Sequence, residues 1–269
     1  LARSSKRCKQ HAQLIWKARC FLIKHPSFIK HPATPHVRNT QVTNWGQVAK
    51  SKPRWTSGVL TTAALGLAAE QFADKARKGG DTPYLSHLLA VSALVMEHGG
   101  SEEQAAAALL HDIIEDCNVS ATELVDLLVE RGADQAVAER VTQMVEATTD
   151  GQASDKRNTS DWRRRKQAYI DGLVAKVASE PALLVSLADK VHNAEATLAQ
   201  VRGGQSANNI YAGAEFNAKA ADQRWYYTNL AAVFGKQLSR DVNAQPLVRR
   251  LATAVEEIFI DVPDASGPQ

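Results

Sequence analysis

From Thr61 to Ile260 the chain repeats one pattern: apolar residues at helical spacing, cut by glycines and capping hydroxyls, with no strand-like alternation of any length. In "TTAALGLAAEQFADKA" the residues Leu65, Ala68, Ala69, Phe72 and Ala76 recur every three or four positions, which makes one face of a helix apolar. "SHLLAVSALVMEHGG" is a second apolar helix, stopped by Gly99-Gly100. Ser101 opens a third with Gln104 three residues on, a capping box, and Ser120 with Glu123 repeats that signature before "LVDLLVERG". Further helices are predicted over 134–148, 162–178, 181–201, 214–234 and 245–260. The chain is therefore expected to be all-α, a single helical bundle of about nine or ten helices.

Charge divides the chain unevenly. Residues 1–56 hold twelve Lys/Arg, no Asp or Glu, and four of the eight histidines. The remaining 213 residues hold 20 Lys/Arg against 29 Asp/Glu, a net of −9. The overall charge of +3 thus belongs to the first segment, and basicity gives no ground for a nucleic-acid partner. No helical or strand period persists in 1–56. That composition fits a targeting segment, an arm for an anionic partner, or sequence translated upstream of a start near Val59. Residues 1–56 are expected to be a disordered basic extension, and 57–269 the folded body with a short frayed tail. No apolar run approaches the ~20 residues a membrane-spanning helix needs. Cys8, Cys20 and Cys117 are odd in number and lack zinc-finger spacing, which points to reduced thiols in a cytoplasmic protein.

The chemistry is concentrated in "ALLHDIIEDC", residues 108–117. Charges are costly to bury unless paired or bound to a metal, yet His111, Asp112, Glu115 and Asp116 close an otherwise apolar run. On a continuous helix His111 would stack above Glu115 and Asp112 above Asp116. Such a polar end is either solvated or faces a site where a divalent cation offsets the converging carboxylates. Three other features bear on that choice. His87 lies inside an apolar helix, as a core histidine or a ligand. Asp189 interrupts Leu184, Leu187 and Val191, with His192 and Asn193 on its own helix face. "KARKGGDTPY" sets Lys75, Arg77 and Lys78 in a basic turn just before His87.

In this order, His87, His111-Asp112 and Asp189 resemble the HD superfamily of metal-dependent phosphohydrolases. "RKGGDTPYLSHLLAV", "ALLHDIIEDC" and "SLADKVHNAEA" are similar to the hydrolase half of the RelA/SpoT homologues, and within it to the stand-alone small alarmone hydrolases. The resemblance covers roughly residues 61–235 and implies an HD-domain bundle that removes the 3′-pyrophosphate from guanosine tetra- and pentaphosphate. It implies that His87, His111, Asp112 and Asp189 bind Mn²⁺, although the same donor types suit Fe²⁺ or Zn²⁺. Glu115 and Asp116 match the family's acidic pair, which positions or deprotonates the attacking water.

Arg77 and Lys78 match positions beside the nucleotide, and Asn193 one near the ribose. Lys190, next to Asp189, is a further candidate for the substrate or a salt-bridge partner. A second basic run, Lys156 to Lys166, reads as a solvated helix face or as a rim for distal phosphates. Tyr84, Trp162, Trp225, Tyr226 and Tyr227 read as packing residues. One departure stands out: "NAEA" places Glu195 where relatives carry a basic residue, on the nucleotide side. That departure leaves open a hydrolase of another phosphorylated nucleotide (an adenine alarmone, NADPH or a nucleoside monophosphate). A non-catalytic helical module retaining the cleft is the remaining alternative. The implied partner is a small nucleotide, with no nucleic acid and no membrane.

Overall fold

A computed structural model describes residues 52–149, 162–214 and 216–263. The basic segment through Ser51, with Cys8 and Cys20, lies outside the described residues, as do Lys156, Arg157 and the tail from 264. The described residues form helices α1 (Val59–Gln71), α2 (Leu85–Glu97), α3 (Glu102–Leu110), α4 (Ile113–Asp116), α5 (Ala121–Glu130), α6 (Gln135–Thr148), α7 (Trp162–Ala175), α8 (Ala182–Arg202), α9 (Ala207–Ile210), α10 (Ala220–Gln237) and α11 (Gln245–Ile258). Among the described residues the extended pairing is confined to one isolated bridge, Ala76 with Pro83. None of these helices is long and apolar enough to cross a membrane.

The helix boundaries follow the capping chemistry. Ser101 and Gln104 form the reciprocal box at the start of α3, and Ser120 Oγ accepts from the Glu123 amide at the start of α5. Asp134 caps α6 by accepting from the Ala136 and Val137 amides. Past the end of α2, Gly99 adopts φ +91, the left-handed region that a residue with a Cβ resists. A Cβ there would also meet the Arg54 side chain at 2.4 Å. The short helix α9, capped by Ser206, interrupts what periodicity alone reads as connecting chain, and α10 starts six residues later than expected.

Two helices make the centre. In α3, Ala105 to Leu110 are all buried, and in α8 every residue from Ala182 to Asp189 is buried. A helix apolar all round belongs in the interior, and the small side chains of "AAAALL" leave room for neighbours on several sides. Helix α3 packs against α1, α2, α6 and α8, while α8 also packs against α2, α6 and α11. Polar residues on these central helices therefore stand inside the protein. Leu187, fully buried on α8, reports on this packing: Leu187→Ala is expected to destabilise the fold by about 2–5 kcal/mol in urea titration.

Candidate metal centre

The chain breaks where the sequence reads as one helix. Helix α3 ends at Leu110, His111 follows in helical conformation, and Asp112 turns to φ −100, ψ 0 before α4 begins. The backbone resumes a helical turn at once, the Asp116 amide donating to Asp112 O at 2.8 Å, so Asp112 and Asp116 remain one turn apart. On a straight helix neighbouring side chains diverge by about 100°. The turn instead brings His111 Nε2 to 3.1 Å from Asp112 Oδ2.

Around that turn, side chains from two further helices converge with His111. His87 comes from α2 and is 1% exposed, His111 is 3% exposed, and Asp189 comes from the middle of α8 at 7%. His87 Nε2 lies 3.2 Å from Asp189 Oδ1 and 3.8 Å from Asp112 Oδ2. His111 Nε2 lies 3.5 Å from Asp189 Oδ1. The ligand atoms of His87, His111 and Asp189 all fall within 4.8 Å of one another. His111 Nδ1 sits 2.8 Å from the Ala108 carbonyl, which can only accept, so Nδ1 carries the proton. In the neutral ring Nε2 then presents a lone pair to two carboxylates. It is buried and has no hydrogen-bond partner among the described residues.

A lone pair aimed at carboxylate oxygens is repulsive unless a cation or proton lies between them. The donor set, two imidazole nitrogens and two carboxylates, therefore fits a divalent metal ion and leaves positions for water and substrate. The electrostatics call for positive charge at this point. Burial alone would lower His111, but the Asp112 and Asp189 carboxylates outweigh it and hold the ring well above its ordinary value. Burial would raise Asp112 and Asp189; the His111 ring pulls the first down, and Lys190 with the histidines pulls the second down.

Glu115 and Asp116 follow on α4, both half-buried. Asp116 Oδ2 meets Lys75 Nζ at 2.5 Å. Lys75 reaches it from a tight hairpin between α1 and α2, in which Arg77 N donates to Thr82 O and Tyr84 N to Lys75 O, both at 2.8 Å. Gly79 makes the reversal at φ +78. The hairpin also delivers Tyr84, which stacks on Phe72 and donates its hydroxyl to Asp112 Oδ2 at 2.5 Å. Burial first, then the Asp112 charge, push the Tyr84 phenol far up, which keeps it a donor. The packing role expected of Tyr84 is thus joined by a direct contact with the cluster.

Three of the other candidates, Arg77, Lys190 and Asn193, gather around Asp189. Asn193 Nδ2 donates to Asp189 Oδ1 at 2.6 Å, and Arg77 Nη2 donates to Asn193 Oδ1 at 2.9 Å. Lys190 Nζ donates to Asp189 Oδ2 at 2.7 Å and lies 5.1 Å from the Tyr169 ring centre. Lys78 is exposed, with Nζ 5.9 Å from the Phe216 ring centre.

Two groups near the cluster depart from the sequence reading, which gives His192 no role and sets Lys166 on a solvated face or a phosphate rim. His192 Nδ1 lies 2.8 Å from His87 Nδ1, and burial followed by the His87 and Arg77 charges pushes its ring down to about 4. Lys166, from the second basic run, turns inward with Nζ 4.8 Å from the Tyr226 ring centre. Burial, then the charge of Lys190, lower it to about 7. Trp162 and Tyr226 are buried in the core and Trp225 and Tyr227 pack against it, as their apolar setting implies.

Glu195 is tied elsewhere. Its carboxylate accepts from Arg250 Nε and Nη2 of α11, each at 2.7 Å. Six positions beyond Asp189 on an α-helix is a rotation of about 240°, so the "NAEA" carboxylate belongs to the α8–α11 seam. The pair is partly exposed, and Glu195→Ala is expected to cost less than about 1 kcal/mol in denaturation, with turnover unchanged in the same preparation. Cys117 is half-buried, and burial pushes its thiol up to about 11.

A family model described as HD domain matches residues 64–214. The chain is 31% identical over 141 residues to the guanosine-3′,5′-bis(diphosphate) 3′-pyrophosphohydrolase MESH1 of Xenopus tropicalis, covering 51% of this chain and 69% of that protein. It is also 31% identical over 138 residues to a probable guanosine-3′,5′-bis(diphosphate) 3′-pyrophosphohydrolase of Synechocystis sp., spanning 50% of this chain but 16% of that longer protein. The solved structure of a metazoan SpoT orthologue that hydrolyses ppGpp aligns with a TM-score of 0.53 at 22% identity, over 77% of this chain and 97% of that one. At that identity the likeness bears on the fold, which is all-α here as expected.

Proposed function

Because the chain belongs to the HD domain family, we propose that it is a metal-dependent hydrolase that removes the 3′-pyrophosphate from guanosine tetra- and pentaphosphate, ppGpp and pppGpp. The products are GDP or GTP and pyrophosphate. The observation that carries this reading is the junction of the two-nitrogen, two-oxygen cluster with Glu115-Asp116 on the next turn. The similarity to proteins named for that activity supplies the nucleotide.

In this reading His87, His111, Asp112 and Asp189 hold one Mn²⁺. Bound there, the cation supplies Lewis-acid polarisation at the phosphoryl group. Glu115 and Asp116 orient the attacking water and take its proton, the work of a carboxylate general base. Lys75 keeps Asp116 oriented through its 2.5 Å contact. Tyr84 holds Asp112 through its hydroxyl. Because the body carries net negative charge, a polyanionic substrate needs local cations. Arg77 offers a planar guanidinium to purine or phosphate, and Lys78 an ammonium to phosphate. Asn193 faces the ribose, and Lys190 supports Asp189 and the phosphate side together.

The setting implied is cytoplasmic, the substrate a free nucleotide rather than a nucleic acid, and residues 1–56 an extension of the hydrolase body 57–269, which Trp55 joins by donating from Nε1 to Gly100 O at 3.0 Å. The Glu195–Arg250 pair removes the motive for a different nucleotide. A panel of ppGpp, pppGpp, adenine alarmones, NADPH and nucleoside monophosphates, each with Mn²⁺, tests the choice. The guanosine 3′-pyrophosphates are expected to give the highest kcat/KM; a preference for monophosphates or NADPH would overturn it.

A further inference from the structure

We propose that His192 is a positioning residue of the metal centre: it accepts a hydrogen bond from His87 Nδ1–H and so fixes the tautomer that turns the His87 Nε2 lone pair toward Asp112, His111 and Asp189. The inference rests on reading the cluster as a divalent-cation site. Two imidazole nitrogens 2.8 Å apart must share one proton, since two N–H groups would clash and two lone pairs would repel.

That leaves two arrangements. In one, His192 donates, and His87 carries its proton on Nε2, toward Asp189 Oδ1 at 3.2 Å; no nitrogen of His87 is then available to a cation. In the other, His87 donates from Nδ1 and Nε2 is a ligand. Only the second serves the site, and it requires an acceptor at His192 Nδ1. His111 shows the same device in fixed form, its Nδ1–H held by the Ala108 carbonyl. Helix α2 supplies no such partner for His87; α8 supplies it one turn after Asp189, so a single helix carries both a ligand and the group that orients another. The two rings are 4.8 Å apart and tilted by 42°. Metal-ligating histidines are generally held this way through the second nitrogen, and loss of the partner typically weakens metal binding 10–100-fold.

The experiment compares Mn²⁺ affinity by calorimetry for the full chain and for His192→Leu and His192→Asn, with far-UV circular dichroism and thermal melts as fold controls. The asparagine amide oxygen can take the place of Nδ1 as acceptor; leucine cannot. Binding by His192→Leu is expected to weaken about 10–100-fold, while His192→Asn stays within about threefold of wild type. Equal affinity in His192→Leu and wild type would overturn the inference, as would equal loss in both folded variants. Should the leucine variant not fold, long-range ¹H–¹⁵N spectra of the Zn²⁺-loaded wild type decide: a proton on His87 Nδ1 supports the inference and its absence there overturns it. No metal uptake by wild type would overturn both readings, whereas uptake with unaltered His192→Leu affinity would overturn only this one.

Discussion

Replacing His111 and Asp112 together by alanine is expected to lower kcat/KM for the guanosine tetraphosphate by at least about 10³-fold, the scale of several kcal/mol of metal-ion catalysis at 1.36 kcal/mol per decade. The size follows from the geometry of the turn. Both side chains leave the same junction between α3 and α4, and their donor atoms lie 3.1 Å apart. Their removal strips half the donor set and leaves His87 and Asp189 as a pair. Two donors hold a divalent ion far more weakly than four, so metal content should fall from one per chain toward none. The fold itself should survive, since the bundle rests on Ala105 to Leu110 and on α8 rather than on these polar groups. Elemental analysis and circular dichroism on the same preparation separate loss of metal from loss of structure.

The second large effect should come without loss of metal. Glu115→Gln with Asp116→Asn keeps side-chain shape and removes both carboxylates that can take a proton, and general-base loss of this kind lowers rates by about 10²–10⁴-fold. Neither residue belongs to the His87, His111, Asp112 and Asp189 cluster, so Mn²⁺ affinity should stay near wild type. The fall should appear in kcat more than in KM, because water activation matters in the transition state rather than in binding. Steady-state kinetics beside calorimetry reads both. A double variant that loses metal and rate in parallel would place the acidic pair among the ligands instead.

Much of this was legible before any coordinates. His111 and Asp189 stand out as ionisable groups set among Leu110 and Leu187, where burial demands a partner, whereas His87 beside Leu88 reads as a core histidine or a ligand until the resemblance is added. Helical periodicity yields the all-α class, and the caps Ser101 and Ser120 mark two helix starts. What escaped depends on geometry between elements. A helix-period pattern runs straight through Leu110 to Ile113, because apolar spacing does not register a turn whose two residues stay near helical conformation. Tyr84 looks like packing in a one-dimensional pattern, since its ring does stack on Phe72; only the approach of α4 gives its hydroxyl an acceptor.

The same limit explains Glu195 and His192. Along α8 they sit three positions apart, and spacing alone cannot say that one meets Arg250 on α11 while the other meets His87 on α2. Lys166 reads as one more cation in a basic run, and its inward direction is set by the packing of α7 on α10. Sequence periodicity states which face a residue occupies on its own helix, whereas its partner is decided by how helices cross.

The most direct measurement is Mn²⁺-dependent pyrophosphate release from guanosine tetraphosphate by the purified chain, with the nucleotide product resolved by anion exchange. Hydrolysis at this centre predicts GDP and pyrophosphate in equal amounts, activity lost on chelation and restored by Mn²⁺, and none from the His111→Ala/Asp112→Ala variant. Turnover no greater than that variant's, or release unaffected by chelation, would contradict it.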